Sequence, residues 1–144
     1  RREVQRSVAV LVLDSEAVSA LARPERNGDR HNQVRAAMRS AHVRNAPVRI
    51  PTAVLVELYR GPGFDEPVDR VVAQGFAQVI TTGARIARIA GHLLPSVGAG
   101  SELAIDALVV ATAIRLGGGI VLTHDPEDLT KLAAGHPNVA VAGI

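Results

Sequence analysis

The chain has no cysteine and no tryptophan, and only one methionine, one tyrosine and two phenylalanines in 144 residues. Without thiols, disulfides and thiolate zinc sites are excluded. With aromatics at 2% but hydrophobic residues at 47%, a core must be built from Val, Leu, Ile and Ala. No apolar run approaches the ~20 residues of a membrane span, and the run at 8–13 is too short for the core of a signal peptide. These absences lead to the expectation of a soluble, cytoplasmic protein with no membrane role. The simplest reading of the length is one domain over 1–144, with 1–7 as a flexible tail, burying about two-thirds of its unfolded surface. The chain opens on Arg1 rather than Met, which leaves its natural N-terminus open.

Several catalytic signatures are missing too. There is no G-x-x-x-x-G-K-[ST] loop to cradle a phosphate, and the three glycines at 117–119 precede an apolar run, so they read as a turn and not a dinucleotide fingerprint. No G-x-S-x-G elbow presents a serine nucleophile. The five histidines (31, 42, 92, 124, 136) show no i, i+4 pairing; His124 reads as a surface residue at a strand end. The stretch Asp14-Ser15-Glu16 lacks the second Asp of phosphoaspartyl phosphatases, although Glu16 keeps the charge. A receiver domain would want a Lys at a late strand end, whereas Lys131 falls within a helical pattern.

What is present is charge, unevenly spread. Residues 1–49 carry ten Arg against five acids, a balance of +5, while residues 50–144 hold six basic and nine acidic residues, a balance of −3. Fifteen of the sixteen basic residues are Arg. Guanidinium forks suit bidentate contacts to phosphate or carboxylate, so the first third can attract nucleic acid or an acidic partner. An ordinary solvated surface explains the same charges equally well.

Short apolar runs at 8–13, 48–50, 78–80, 120–123 and 139–142 predict five strands. Between them the apolar spacing predicts a helix behind a Ser15 N-cap, then helices over 31–42, from a Thr52 cap to Tyr59, and over 65–77, 82–94, 102–116 and 126–134. Continuously apolar strands alternating with helices imply an α/β fold, three-layered, with a central, mostly parallel sheet of about five strands. Segments 23–30 and 96–100 are the expected mobile loops.

Against this background four acids stand out. Asp14 closes the run at 8–13 (VAVLVL) and Asp125 follows 120–124 (IVLTH). Glu57 lies within 51–60 (PTAVLVELYR), and Asp106 opens 106–113 (DALVVATA). Open parallel sheets place ligands beyond the carboxyl ends of their strands, where Asp14 and Asp125 should fall and which Glu57 and Asp106 can face. Singly, each has an ordinary explanation: Asp14 and Asp125 as helix caps, Glu57 and Asp106 as partners of Arg60 and Arg115. Together, such acids must neutralise their mutual repulsion, and a hard divalent cation is the usual means.

The segments VLVLDS (10–15), VLVEL (54–58), DALVVATA (106–113) and LTHDPEDL (122–129) resemble, in this order and spacing, the blocks of PIN-domain ribonucleases. Within them the chain is most similar to the toxin subunit of the bacterial virulence-associated protein BC (VapBC) toxin–antitoxin pairs. The resemblance implies a Mg²⁺- or Mn²⁺-dependent endoribonuclease with a PIN-like α/β/α fold, held in check by a cognate antitoxin. Operator DNA would be reached only through that antitoxin, and the apolar helices near 31–42 and 65–77 offer surfaces for a homodimer.

By position the resemblance makes Asp14, Glu57, Asp106 and Asp125 the catalytic, metal-holding acids, with Ser15, Thr123 and Asp128 beside them. Asp125 or Asp128 can be the fourth acid, and position in the motif favours Asp125. Departures from the pattern are Leu129 where Phe is frequent, and Glu16 where a small polar residue is commoner. Glu16 either adds charge near the metal or points away along its helix. Arg23, Arg26, Arg30 and Arg60 are candidates to bind RNA, the first three expected on the same sheet edge as Asp14. The alternative is a catalytically weak PIN-like module that works by antitoxin binding and operator co-repression. A DNA-directed, structure-specific nuclease is less favoured, because the chain lacks the insertions that clamp a duplex.

Overall fold

The computed structural model describes residues 9–144; the expected tail at 1–7, and Val8 of the first run, lie outside the described residues. Five parallel strands are present: β1 (Val10–Leu13), β2 (Val48–Pro51), β3 (Gln78–Ile80), β4 (Gly119–Thr123) and β5 (Val139–Gly143). They form one sheet in the order β3-β2-β1-β4-β5. Seven helices cover it: α1 (Ser15–Ala22), α2 (Gly28–Val43), α3 (Thr52–Leu58), α4 (Asp65–Gln74), α5 (Ala84–Leu93), α6 (Ala104–Arg115) and α7 (Pro126–Leu132). Among the described residues, no helix is long and apolar enough to cross a membrane.

The burial pattern explains the layering. All four residues of β1 are buried, as expected of a central parallel strand covered on both faces. On one side α1 packs on α2 and α4; on the other α6 packs on α5 and α7 and reaches β1, β2, β4 and β5. Helix α6 buries Ala107, Val109, Val110, Ala111, Thr112 and Ala113, so it is apolar nearly all round. The Thr112 hydroxyl donates to Leu108 O at 2.7 Å, which lets a polar residue sit in that interior. Val12, Leu13, Val18, Ile50, Val54, Val110 and Val121 are fully buried. Each such aliphatic side chain contributes about 1.5–3 kcal/mol by leaving water. Aliphatic packing thus replaces the missing aromatics.

Several local expectations are corrected. Of the two caps the sequence offers for α1, Asp14 and not Ser15 fills the place: its side chain accepts from Ala17 N at 3.0 Å, and Ser15 is the first helical residue. Thr52 does not cap α3, which follows β2 directly through Pro51. Instead Thr52 Oγ1 accepts from Thr82 N at 2.9 Å, and Thr82 Oγ1 accepts from Ala53 N at 3.2 Å. The α3 N-terminus is thereby satisfied from a segment thirty residues away, which local spacing cannot reveal. The loop expected over 23–30 is shorter, since α2 already begins at Gly28. Helix α4 stops at Gln74 because Gly75 adopts a left-handed φ of 77°. A 3₁₀ turn over Ser101–Leu103 precedes α6, and another over Leu94–Val97 occupies part of the second expected loop. The glycine turn at 117–119 is required: a Cβ on Gly119 would stand 2.0 Å from Val10 O. Gly118, at φ 106°, closes α6 by donating its N–H to Ala113 O at 2.8 Å.

Candidate active site

The topology delivers acids to one edge. Asp14 follows the last residue of β1, and its N–H still donates to Leu122 O of β4 at 3.2 Å. Asp125 lies two residues past β4, Asp106 on the first turn of α6, and Glu57 near the end of α3. Helix α3 packs on both α1 and α6, which brings Glu57 to the others. All four line a single cleft of about 210 Å³, together with Ser15, Thr123 and Asp128. Every acid expected at the site from the sequence is therefore brought together.

One further acid, whose direction the sequence leaves open, joins them. Glu16 lines the same cleft, so six carboxylates share it. Its Oε1 accepts from Thr123 Oγ1 at 3.3 Å and from His124 N at 3.2 Å. A signal for this existed: Glu16 sits on the first turn after a strand-end acid, where side chains stay near the sheet edge. The His124 ring turns elsewhere, its Nδ1 lying 3.0 Å from Ile144 O.

The electrostatics are those of crowded acids. Asp14 is 5% exposed, and burial raises its carboxyl from 3.8 to about 6. The neighbouring Glu16 adds to the rise, while hydrogen bonds from Thr123 and Ala17 oppose it. The Thr123 hydroxyl is thus within reach of both Asp14 and Glu16, and its single proton serves one at a time. Asp106 is also raised to about 6, first by burial and then by repulsion from Glu57, Asp128, Glu16 and Asp125. Glu57 and Asp125 are exposed, so the cost of burial falls on Asp14 and Asp106 rather than on all four. Among the described residues no counter-charge relieves them. Among the described residues the one ion pair is Glu127–Lys131, at 3.5 Å, so Arg60 and Arg115 do not neutralise Glu57 or Asp106. Nor does Asp125 act as a cap, its side chain making no capping bond to α7.

The donor set is wholly oxygen, without sulfur or imidazole, which suits a hard divalent cation. Among the described residues, no three His, Asp or Glu side chains are already grouped as ligands around one point. The carboxylates line one cleft without closing on a common point. Within the cleft Asp14 is buried, Asp106 and Asp128 are half-buried, and Glu57 and Asp125 are exposed.

The candidate RNA-binding arginines stand outside this cleft. Eight residues of α1 carry the chain about 12 Å along the helix before Arg23 is reached, so the 23–30 segment leaves from the far end of α1 and not from beside Asp14. The Arg23 guanidinium donates to Gly63 O and Phe64 O at 3.4 and 3.3 Å and lies 5.5 Å from the Phe64 ring centre. Arg30 donates to Asn27 Oδ1 at 3.3 Å, and Arg26 is exposed. Arg60 donates to Val56 O and Tyr59 O at 2.6 and 2.8 Å.

A second, larger cleft of about 880 Å³ lies between α2 and α4 and shares no residue with the first. Its apolar lining includes Leu21, Met38 and Val71, beside Val43 and Phe76, which are 79% and 75% exposed. Arg35, Arg39, Arg49 and Arg70 line it as well, against Glu25 as its one acid.

Comparison with known proteins bears on the family and the fold. Residues 11–135 match the family model of the PIN domain. Among solved structures, the crystal structure of VapBC2 from Rickettsia felis bound to a DNA fragment from their promoter is similar in fold, with a TM-score of 0.64 at 16% identity. The match covers 94% of this chain and 98% of that one. Among curated proteins there is no significant match.

Proposed function

This chain belongs to the PIN-domain family, and from that premise we propose that it is a Mg²⁺- or Mn²⁺-dependent endoribonuclease, the toxin of a type II toxin–antitoxin pair. One observation carries the proposal: acids from the ends of β1 and β4 and from α3 and α6 converge on a cleft that, among the described residues, has no ion-paired cation. Asp14, Glu57 and Asp106 would hold the ion, with Asp125 orienting water at the rim. Such an ion would supply the Lewis acidity needed to activate a water and to offset charge on the leaving oxygen of a phosphodiester. The chain supplies rigidity around it. Asp14 is locked by the Ala17 N–H, and the buried faces of β1 and α6 fix the positions of Asp14 and Asp106. Bare carboxylates repel phosphate, so attraction for RNA must come from elsewhere, with Arg23, Arg26, Arg30 and Arg60 the proposed contacts.

The proposed partner is a cognate antitoxin that inserts a Lys or Arg into the acidic cleft and competes with the metal. Operator DNA would be bound through that partner, in the cytoplasm. The VapBC2 assembly of Rickettsia felis was crystallised on promoter DNA, which supports the analogy at the level of fold. The apolar cleft between α2 and α4 favours a second reading, in which partner binding and co-repression are the main work and catalysis is weak. A homodimer through the same helices fits either reading. Cleavage of total RNA, with and without Mg²⁺, by wild type and by Asp14→Asn decides between them. Metal-dependent cuts made by wild type alone support the nuclease. Intact RNA under all conditions supports the binding module.

A further inference from the structure

The geometry points to Glu16 as a positioning residue that ties the end of β4 to the start of α1 and so sets where Asp125 stands at the acid cleft. The inference rests on the nuclease reading above for the identity of the site. Glu16 is on the first turn of α1, two residues after Asp14, yet its Oε1 accepts from two groups more than a hundred residues away. One is Thr123 Oγ1, the other the His124 N–H. Thr123 Oγ1 in turn accepts from Asp125 N at 3.1 Å. A chain of bonds therefore runs from α1 through the Thr123 hydroxyl to the backbone of Asp125.

Among the described residues nothing comparable holds Asp125 from its other side. It is exposed and makes no capping bond to α7. Thr123, by contrast, is 1% exposed, and its hydroxyl accepts from Asp125 N while its proton is shared between Glu16 and Asp14, so the link closes on α1 in either case. As a further negative charge in the metal-free cleft, Glu16 adds to the repulsion on Asp14 and Asp106. As an acceptor for two β4 donors it fixes geometry, which is the role that outer groups play around a cation site. The acceptor oxygen therefore matters more than the charge.

The test uses the full chain with Mn²⁺ alone as the probe. Glu16→Ala removes the acceptor; Glu16→Gln keeps an oxygen at Oε1 and removes the charge; Thr123→Val cuts the same link from the β4 side. Two readouts are taken: Mn²⁺ affinity by calorimetry, and amide hydrogen exchange at His124 and Asp125 in the metal-free protein. The expected result is a loss of Mn²⁺ affinity on the order of tenfold for Glu16→Ala and for Thr123→Val. Combining the two substitutions should add little further loss. Exchange at His124 should accelerate in Glu16→Ala, and Glu16→Gln should restore most of both properties. A Gln variant as impaired as the Ala variant would overturn the inference, because Glu16 would then act through its charge. So would an Ala variant with wild-type affinity. A protein that shows the expected pattern yet leaves RNA intact supports the role of Glu16 and contradicts the nuclease reading instead.

Discussion

The two clefts of this molecule are opposites. One is small, is lined by six carboxylates with two hydroxyl side chains between them, and sits where β1 and β4 end. The other is about four times larger by volume, is apolar with four arginines around it, and lies between α2 and α4. The acidic cleft holds its charge at a cost to folding, since Asp14 and Asp106 are both pushed to about 6. In the basic cleft arginines are spread around apolar side chains, and guanidinium heads reach water while their stems cover those side chains. The difference teaches that +2 is not a weak overall charge but two strong local fields of opposite sign. A small cation suits the first. A larger acidic or amphipathic partner suits the second.

The harshest way to break this comparison is to remove charge from the acidic side. Glu57→Gln and Asp106→Asn keep side-chain size, and each should lower metal-dependent RNA cleavage by about a hundredfold or more, roughly 3 kcal/mol of barrier. Single-turnover cleavage at saturating Mg²⁺ measures this, and near-wild-type rates in either variant would remove that acid from the site. The next effect is on stability. A carboxyl raised from 3.8 to about 6 by folding favours the folded state when protonated. That contribution is complete below 3.8 and is lost as pH rises through about 6. Metal-free protein should therefore lose stability between about pH 4 and 7, by roughly 2 kcal/mol for Asp14. In Asp14→Asn this part of the slope should vanish, while the cap survives because Asn also caps helices. Urea unfolding at several pH values checks it.

The basic side gives smaller effects. Replacing Arg23, Arg26 and Arg30 with Gln should flatten the salt dependence of RNA affinity by about 0.7 in slope for each phosphate that is no longer neutralised, while Mn²⁺ affinity stays unchanged. An unchanged slope removes that segment from the RNA path. Because Arg23 also lies over Phe64, the triple variant should lose about 0.5 kcal/mol of stability besides. Least of all, Lys131→Ala should change stability by under about 0.5 kcal/mol, since its pair with Glu127 is exposed.

How much of this was legible in the sequence varies with the range of the interactions. The five strands, the parallel sheet and the acid set were readable, because period and strand-end position are local signals and the blocks at 10–15, 54–58, 106–113 and 122–129 carry them. Caps were less so. Ser15 looked like the N-cap by residue type, but Asp14 had to fill that place because β1 runs straight into α1. The Thr52–Thr82 exchange and the Glu16–Thr123–Asp125 chain join segments far apart in sequence, and no spacing rule encodes them. The side on which the 23–30 arginines emerge depended on where α1 ends, a question of its length that the apolar pattern leaves open.

The central claim is that the acidic cleft is strained as bare anions and relieved by a divalent cation. Thermal unfolding of wild type and Asp14→Asn at pH 7.5, each with and without Mn²⁺, tests it most directly. Without metal, Asp14→Asn should melt higher than wild type. With Mn²⁺, wild type should rise and the variant should stay where it was, reversing their order. A wild type that does not respond to Mn²⁺, or a variant that responds equally, would contradict the account.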